Sequence, residues 1–280
     1  MSWKAGAKFV PAALFAGMLR FRCPGPRRIV LYYHGIQKEQ IGCFEKQMAY
    51  LAAHYQVVPA SRIRTAGADD GFSLVALTFD DALVSVFDWV VPILLRHGLA
   101  ATFCAPTGRL GQPPAWDMED GCAECGDCVM TEQQIGRLGE LGFEWFSHGV
   151  SHVPLTQLSE SEVRHELVES KRRLEQILGR AVLGISYPYG ACDARVAHHA
   201  RDAGYRLGLT IEPLFASEAT DELLVGRTSA SAGDGLPTFR LKACGAYKAV
   251  AYLSRGKHFL RRNPGAPELA CWLPQSPRNP

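Results

Sequence analysis

The alternation of short apolar runs with amphipathic stretches, sustained from residue 28 to about residue 255, constrains the fold more than any other feature of this chain. The runs Arg28–Tyr33 (RIVLYY) and Ser73–Phe79 (SLVALTF) are rich in β-branched and aromatic residues, a composition typical of buried strands. Stretches between such runs begin with helix-capping patterns, as where Ser159 is followed three residues later by Glu162. Strands that alternate with helices predict parallel strands joined by helical crossovers, arranged either as a barrel or as an open sheet.

The chain has 280 residues, which is long enough for one large α/β domain, and no repeat or linker divides its central region. We therefore expect a single domain over residues 28–255. A basic and apolar segment, residues 1–27, precedes this domain. Residues 256–280 are rich in proline and polar residues, and this composition predicts an irregular tail.

Charge and cysteine content restrict the partners and the setting. The formal net charge of +2 is too close to zero to indicate a nucleic-acid partner. Nine cysteines, an odd number, without a convincing secretory signal favour a reduced, cytoplasmic setting. The segment from Trp3 to Phe21 mixes aromatic and aliphatic residues with Lys and Arg. This mixture indicates either peripheral contact with the inner surface of a membrane or an N-terminal helix docked on the core.

Four predicted strands run directly into residues that can bind a metal ion, transfer a proton or form a tight turn. In chain order these residues are His34, the pair Asp80 and Asp81, the pair His148 and His152, and the turn Pro188, Tyr189 and Gly190. Functional residues of parallel α/β domains gather at the carboxyl edge of the sheet. The sequence therefore predicts that all four sets meet in one site.

One carboxylate and two imidazoles suit a divalent metal ion that keeps positions open for water and substrate, as catalytic zinc does. Such an ion lowers the pKa of a bound water and polarises a carbonyl group. Neighbouring residues on a strand point to opposite sides, so Asp80 and Asp81 are not expected to chelate as a pair. A strand end can instead turn one carboxylate toward the ion and leave the other near the bound water, which gives one ligand and one base.

Three segments in this order resemble the motifs of the polysaccharide deacetylases, the NodB-homology domains of carbohydrate esterase family 4. The segments are LTFDDA at 77–82, SHGVSHVPL at 147–155 and SYPYG at 186–190. The resemblance extends over residues 28 to 245, because YYHGI at 32–36 and the helix FEKQMAYL resemble the N-terminal portion of one branch of the family. It implies a distorted (β/α) barrel that removes N-acetyl groups from amino sugars.

The resemblance also implies the roles of individual residues. Asp80 would be the general base, and the backbone N–H of Tyr189 would help to hold the oxyanion. The implied ligands of one divalent ion are Asp81, His148 and His152. We expect Zn²⁺, with Co²⁺, Ni²⁺ and Mn²⁺ as alternatives. The expected partner is an N-acylated amino-sugar glycan, either a polysaccharide or a lipid-linked glycan, with formyl as the alternative acyl group.

The chain departs from the family pattern at two places. Ser186 stands where many members carry an arginine that orients and tunes the catalytic aspartate, and Arg227 is a candidate to replace it. No Leu-x-His motif, which supplies the general acid in most members, follows residue 200. By resemblance to the branch with a YH motif on its first strand, His34 inherits the role of the acid. The alternatives are that His34 is a structural histidine and that the chain is a carbohydrate-binding pseudoenzyme.

The cysteines of the segment CAECGDC, which are Cys122, Cys125 and Cys128, have a spacing that suits metal thiolates. A fourth ligand from elsewhere would complete a small structural zinc site, and a loop with free thiols is the alternative. Trp116 and Asp117 precede this segment and are expected to shape the substrate cleft.

Overall fold

A computed structural model describes residues 26–68, 71–116 and 126–248 of the chain. Most of the N-terminal segment and all of the expected C-terminal tail lie outside these ranges, so the expectations about them, including membrane contact, stay predictions. Within the described ranges, no helix combines the length and the apolar character needed to cross a membrane.

Eight parallel strands form one sheet in the order β7-β6-β5-β4-β3-β1-β8, with β2 paired to β3 beside this path. The strands are β1 (Arg28–Tyr33), β2 (Gln56–Val57), β3 (Leu74–Phe79), β4 (Thr102–Ala105), β5 (Glu144–Ser147), β6 (Gly184–Ser186), β7 (Leu207–Leu209) and β8 (Thr228–Ser229). The α-helices are α1 (Ile41–His54), α2 (Val91–Arg96), α3 (Glu132–Glu140), α4 (Glu160–Leu178), α5 (Ala194–Asp202) and α6 (Leu236–Ala243).

The segment from Val225 to Ser229 joins the two edges of the sheet. Val225 forms a parallel bridge to Leu209 of β7, and Thr228 pairs with Leu31 of β1. The curled sheet with its surrounding helices is therefore a distorted (β/α) barrel in one domain, which confirms the predicted fold class. Closure by this short segment also places the residues near position 227 beside β1 and β3, two strands that lie about 150 or more residues earlier in the sequence.

Alternate residues of each strand face opposite layers, as the period of two in a β-strand requires. Leu31 and Leu77 belong to the apolar layer between sheet and helices, whereas Val30 and Ala76 belong to a second cluster inside the barrel. By the same alternation, Thr78 lies on the interior face of β3. The barrel interior thus changes from apolar to polar toward the carboxyl edge of the sheet.

Helix α4 illustrates how local sequence sets the boundaries of an element. Ser159 accepts a hydrogen bond from the amide of Glu162, and the Glu162 side chain accepts one from the amide of Ser159, which completes the predicted capping box. Gly179 ends the helix in the left-handed conformation with φ 64°. The helix start predicted from the capping pattern at Ser159 is therefore confirmed.

Residues 86–96 do not form one regular α-helix. The chain forms a π-helical turn over Val86–Val90 and then the short helix α2. Pro92 has no amide hydrogen and its ring excludes the carbonyl four residues earlier, so the regular α-helical bonding pattern cannot run through this point. The π turn begins five residues after Asp81.

Candidate active site

The carboxyl edge of the sheet brings the predicted residues together. The amide of Asp80 donates to the carbonyl oxygen of Tyr33 (2.9 Å), so the residue after β3 lies beside His34, the residue after β1. The amide of His148 donates to Ala105 at the end of β4 (3.0 Å). Strand pairing therefore fixes the backbone from which each candidate side chain projects.

Asp81, His148 and His152 form a buried cluster whose ligand atoms all lie within 4.8 Å of one another. The Oδ1 atom of Asp81 is 3.4 Å from Nε2 of His148 and 3.2 Å from Nε2 of His152. This oxygen is buried and has no hydrogen-bond partner of good geometry, which is costly unless another group satisfies it. A divalent cation between the three atoms would satisfy it, so these residues fit a metal site.

The two imidazoles are oriented differently. Nδ1 of His148 lies 2.6 Å from the carbonyl oxygen of Ser186, a contact that leaves Nε2 facing Asp81. Nδ1 of His152 is buried and has no hydrogen-bond partner. The ring of His152 is instead covered by Trp116, at 4.2 Å between ring centroids, and by Tyr189, at 4.9 Å. Trp116 thus lies at the site, as expected for a residue that shapes the cleft.

Backbone strain is concentrated in this site. Asp81, Ala82, His152 and Tyr189 have φ values of 66°, 49°, 56° and 58°, and they are the only non-glycine residues in the described ranges with positive φ. Such conformations cost on the order of 1–3 kcal/mol each and persist where the surrounding structure imposes them. The positive φ of Asp81 turns its carboxylate out of the strand alternation and toward the two imidazoles.

Asp80 forms a bidentate ion pair with Arg227, a fully buried residue. Nη1 and Nη2 of Arg227 donate to Oδ1 and Oδ2 of Asp80, each at 2.8 Å. The same guanidinium donates to Thr78 Oγ1 (3.1 Å), Ser186 Oγ (2.9 Å) and the Thr210 carbonyl oxygen (3.0 Å). Ser186 therefore leaves room for the guanidinium that approaches from the closing segment and also accepts a hydrogen bond from it.

The charges of the site set the protonation of both aspartates. Burial alone would raise the pKa of Asp80, but the charges of Arg227 and His148 outweigh it and hold the pKa well below its usual range. Burial also opposes ionisation of Asp81, and the facing imidazoles of His148 and His152 lower its pKa below the usual range. Both carboxylates are therefore ionised at neutral pH.

The two histidines of the cluster shift in opposite directions. Burial alone would lower the pKa of His148, but the negative charges of Asp80 and Asp81 raise it above its usual value. For His152, burial outweighs the same carboxylates and the pKa is lowered, in part because His148 lies beside it. A neutral imidazole is the form that binds a metal ion.

His34 is exposed at the mouth of the site. Its ring lies edge-on to Tyr32, with 5.7 Å between centroids, and its positive charge when protonated would lower the pKa of both aspartates. An exposed histidine next to a buried carboxylate can reach a bound substrate. His34 is therefore exposed, and its role as the acid stays a prediction.

Two of the three cysteines of the predicted thiolate site, Cys122 and Cys125, lie outside the described residues, as does Asp117. Cys128 is described, and its thiol is free and partly buried. The structural zinc site therefore stays a prediction. Within the described ranges, Asp81, His148 and His152 are the only group of metal-ligating type.

Comparison with known proteins identifies the family. A family model described as polysaccharide deacetylase matches residues 67–208, about half of the chain, and includes the aspartate pair, both histidines and the Pro-Tyr-Gly turn. The chain belongs to the polysaccharide deacetylase family. It is a NodB-homology domain of carbohydrate esterase family 4, and its class is that of the deacetylase hydrolases. His34 and Arg227 lie outside the matched range.

Individual relatives agree with this assignment. YxkH of Bacillus subtilis (strain 168), whose name describes a polysaccharide deacetylase, is 25% identical over 217 residues, which cover 73% of this chain and 71% of that protein. The Streptococcus pyogenes deacetylase PplD, solved in complex with acetate, superimposes with a TM-score of 0.64 at 23% identity and covers 78% of this chain and 97% of its own. IcaB from Ammonifex degensii superimposes with a TM-score of 0.65 at 20% identity, and the match covers 80% of this chain and 98% of the IcaB chain. The two solved structures share the fold of this family member.

Proposed function

We propose that this polysaccharide deacetylase is a metal-dependent hydrolase that removes N-acetyl or N-formyl groups from amino sugars of a polysaccharide or a lipid-linked glycan. One observation carries the proposal. An ionised, buried carboxylate that is bound to Arg227 stands next to three buried groups suited to one divalent ion, and both lie at the open edge of the barrel.

Asp81, His148 and His152 would hold the ion, and we expect Zn²⁺ because one carboxylate and two imidazoles are typical ligands of catalytic zinc. A bound ion of this kind lowers the pKa of water and polarises an acyl oxygen. Two observations support this ligand set. The buried Oδ1 of Asp81 has no hydrogen-bond partner, as expected of an atom that binds a metal ion. The contact of His148 Nδ1 with the Ser186 carbonyl oxygen orients the ring, as is usual for histidines that bind metal ions.

The other residues of the site have separate roles in the proposed reaction. Asp80, held in place by Arg227, accepts the proton of the attacking water. His34 donates a proton to the leaving sugar nitrogen, because an amine leaves poorly without one. The backbone N–H of Tyr189, which projects from a turn with positive φ, stabilises the negative charge that develops on the acyl oxygen.

A carbohydrate-binding pseudoenzyme is the second candidate. It is favoured by the absence of a Leu-x-His motif after residue 200, which leaves the acid to the exposed His34. Catalysis and simple binding make different demands on Asp80. A protein that only binds glycans has no need of an ionised carboxylate held by a buried arginine.

The deciding experiment measures release of acetate and of formate from N-acetylated and N-formylated glucosamine oligomers, with zinc supplied and with zinc removed. We expect zinc-dependent turnover by the natural chain. Asp80→Asn should retain zinc and reduce turnover by roughly 10²–10⁴-fold, the usual effect of losing a general base. The matched control is Asp202→Asn, which removes an exposed carboxylate on α5 and should keep full activity. Glycan binding without turnover by the zinc-loaded natural chain would favour the pseudoenzyme.

A further inference from the structure

The segment that carries both histidines of the proposed metal site has an unusual backbone. Gly149 and His152 have φ values of 76° and 56°, so the chain leaves the strand direction at the start and at the end of this segment. A side chain at His152 resists this conformation, and a bare loop of this length would relax out of it. Some contact outside the segment must hold it, and the structure shows two contacts from helix α4 and a third from the backbone that follows β4.

The first contact is the carboxylate of Glu166 on helix α4. Its Oε2 accepts hydrogen bonds from the amides of Val150 (2.6 Å) and Ser151 (3.0 Å), and its Oε1 accepts one from the Ser151 hydroxyl (2.6 Å). Glu166 is 5% exposed, and no described Lys, Arg or His forms an ion pair with it. Two backbone amides and one hydroxyl of the loop thus compensate this buried carboxylate, and the bonds are charge-assisted.

The second contact is a chain of hydrogen bonds through two serine hydroxyls, which reaches helix α4 at Ser170, one helical turn after Glu166. The amide of Gly149 donates to Ser147 Oγ (3.1 Å), which donates to Ser170 Oγ (2.6 Å), which in turn donates to the Glu166 carbonyl oxygen (2.5 Å). Ser147, Gly149, Ser170 and Glu166 are all buried. Helix α4 therefore reaches the loop at two points four residues apart.

The opposite side of the loop is bound by backbone alone. The amides of Thr107 and Gly108, which follow β4, donate to the carbonyl oxygens of Gly149 (3.0 Å) and Val150 (2.9 Å). A Cβ atom at position 108 would lie 2.7 Å from the Val150 oxygen, so glycine is required for this approach. The loop is consequently held between a fixed backbone edge and the side chains of α4.

We infer that Glu166, supported by Ser170, is a positioning residue that sets the separation of His148 and His152 and thereby the affinity of the metal site. The inference rests on the proposed metal site and adds to it. Glu166 does not touch the ligand atoms. It acts by fixing the three residues between the two histidines in the geometry that points both Nε2 atoms at Asp81.

The test is the zinc dissociation constant at 20 °C, measured by competition with a chromophoric chelator, together with the visible absorption spectrum of the Co²⁺-substituted protein. Glu166→Ala should weaken zinc binding by roughly 10–100-fold, the usual effect of removing a group that orients metal ligands, and should alter the Co²⁺ bands. Glu166→Gln keeps an oxygen for the two amides and should stay within roughly threefold of the natural chain. Glu166→Asp keeps the charge but is one methylene too short to reach both amides, and it should lose affinity as the Ala variant does.

Glu169→Ala is the matched control, because Glu169 lies on the same helix and has the same charge but bonds only to Arg172 at the surface. It should leave the zinc affinity unchanged. A purely structural role of Glu166 would lower the melting temperature of Glu166→Asp while leaving its zinc affinity and Co²⁺ spectrum unchanged, and this result would overturn the inference. Absence of zinc binding by the natural chain would instead refute the proposed metal site itself.

Discussion

Arg227 offers the most quantitative test of the site, because a single substitution leaves a buried charge without its partner. Arg227→Met removes two charge-assisted bonds to Asp80 and three further bonds to Thr78, Ser186 and Thr210. Arg227 is 0% exposed and Asp80 is 3% exposed, so water cannot replace the lost partner. Breaking a buried ion pair on one side typically destabilises a protein by about 3–5 kcal/mol.

For a chain of this size, 1 kcal/mol corresponds to a change of about 2–4 °C in melting temperature, so the loss should be roughly 6–20 °C. The assays are urea unfolding for the free energy and thermal unfolding for the melting temperature, both at pH 7 with a chelator in all samples, because metal binding would add stability of its own. Arg227→Lys is the matched control. It retains the positive charge but not the planar guanidinium that binds both carboxylate oxygens. Arg227→Lys should therefore be more stable than Arg227→Met and less stable than the natural chain.

A double variant identifies the cause of the loss. Asp80→Asn combined with Arg227→Met removes both charges, and it should be more stable than Arg227→Met alone by about 1–3 kcal/mol. If Arg227→Met costs less than about 1 kcal/mol, or if the double variant is the less stable of the two, the buried ion pair does not contribute as described.

The pH dependence gives an independent check. The folded-state pKa of Asp80 lies below its unfolded value, so the contribution of the pair is complete above the unfolded pKa, about 3.9. It is lost as pH falls from there through the lower folded pKa. Without the guanidinium, the folded-state pKa of Asp80 rises in Arg227→Met, so the variant gains stability as pH falls through that raised pKa. The stability difference between the natural chain and Arg227→Met should therefore be constant only above the raised pKa and should shrink as pH falls through it. In the active protein, the acidic limb of kcat/KM should move to higher pH in Arg227→Met, because burial then raises the pKa of Asp80 without the opposing charge of the guanidinium.

Two further predictions concern the acid and the metal. His34→Ala should keep its zinc and be far more impaired on an N-acetylated sugar than on a nitrophenyl acetate, because only the amine leaving group needs a proton; equal losses on both substrates would place the acid elsewhere. His148→Ala and His152→Ala should each lose the divalent ion, as measured by metal analysis of the purified proteins, because removal of one of three ligands disables the site. Stoichiometric metal in the double His→Ala variant would contradict the ligand assignment.

The sequence predicted the elements well where the local signals are strong. The strand Arg28–Tyr33 and the helix Glu160–Leu178 form as expected, because a β-branched run and a capping box with a terminal glycine act on the chain locally. The two-residue strands β2 and β8 carry no comparable signal. They exist only because longer neighbouring strands offer them backbone partners.

The partner of Asp80 shows why the site itself was only partly predictable. The aspartate pair and the two histidines follow strong strands, so their meeting at one edge could be expected from topology alone. Arg227 lies 147 residues from Asp80, and only the closure of the barrel between β7 and β1 makes them neighbours. Arg227 could therefore be named only as a candidate, whereas the contacts of Glu166 were not predicted at all, because a charged residue on a charged helix is normally expected to face solvent.

The way the barrel closes also has a consequence for how the protein folds. Every proposed metal ligand is synthesised before residue 153, whereas the guanidinium that neutralises Asp80 arrives with residue 227. Until that late segment docks between β7 and β1, the interior of the barrel holds an uncompensated carboxylate, and contacts of such long sequence separation form slowly. A growing chain therefore acquires its metal-binding loops first and its finished interior last. Docking of the final strand completes the fold and the charge balance of the site in the same step.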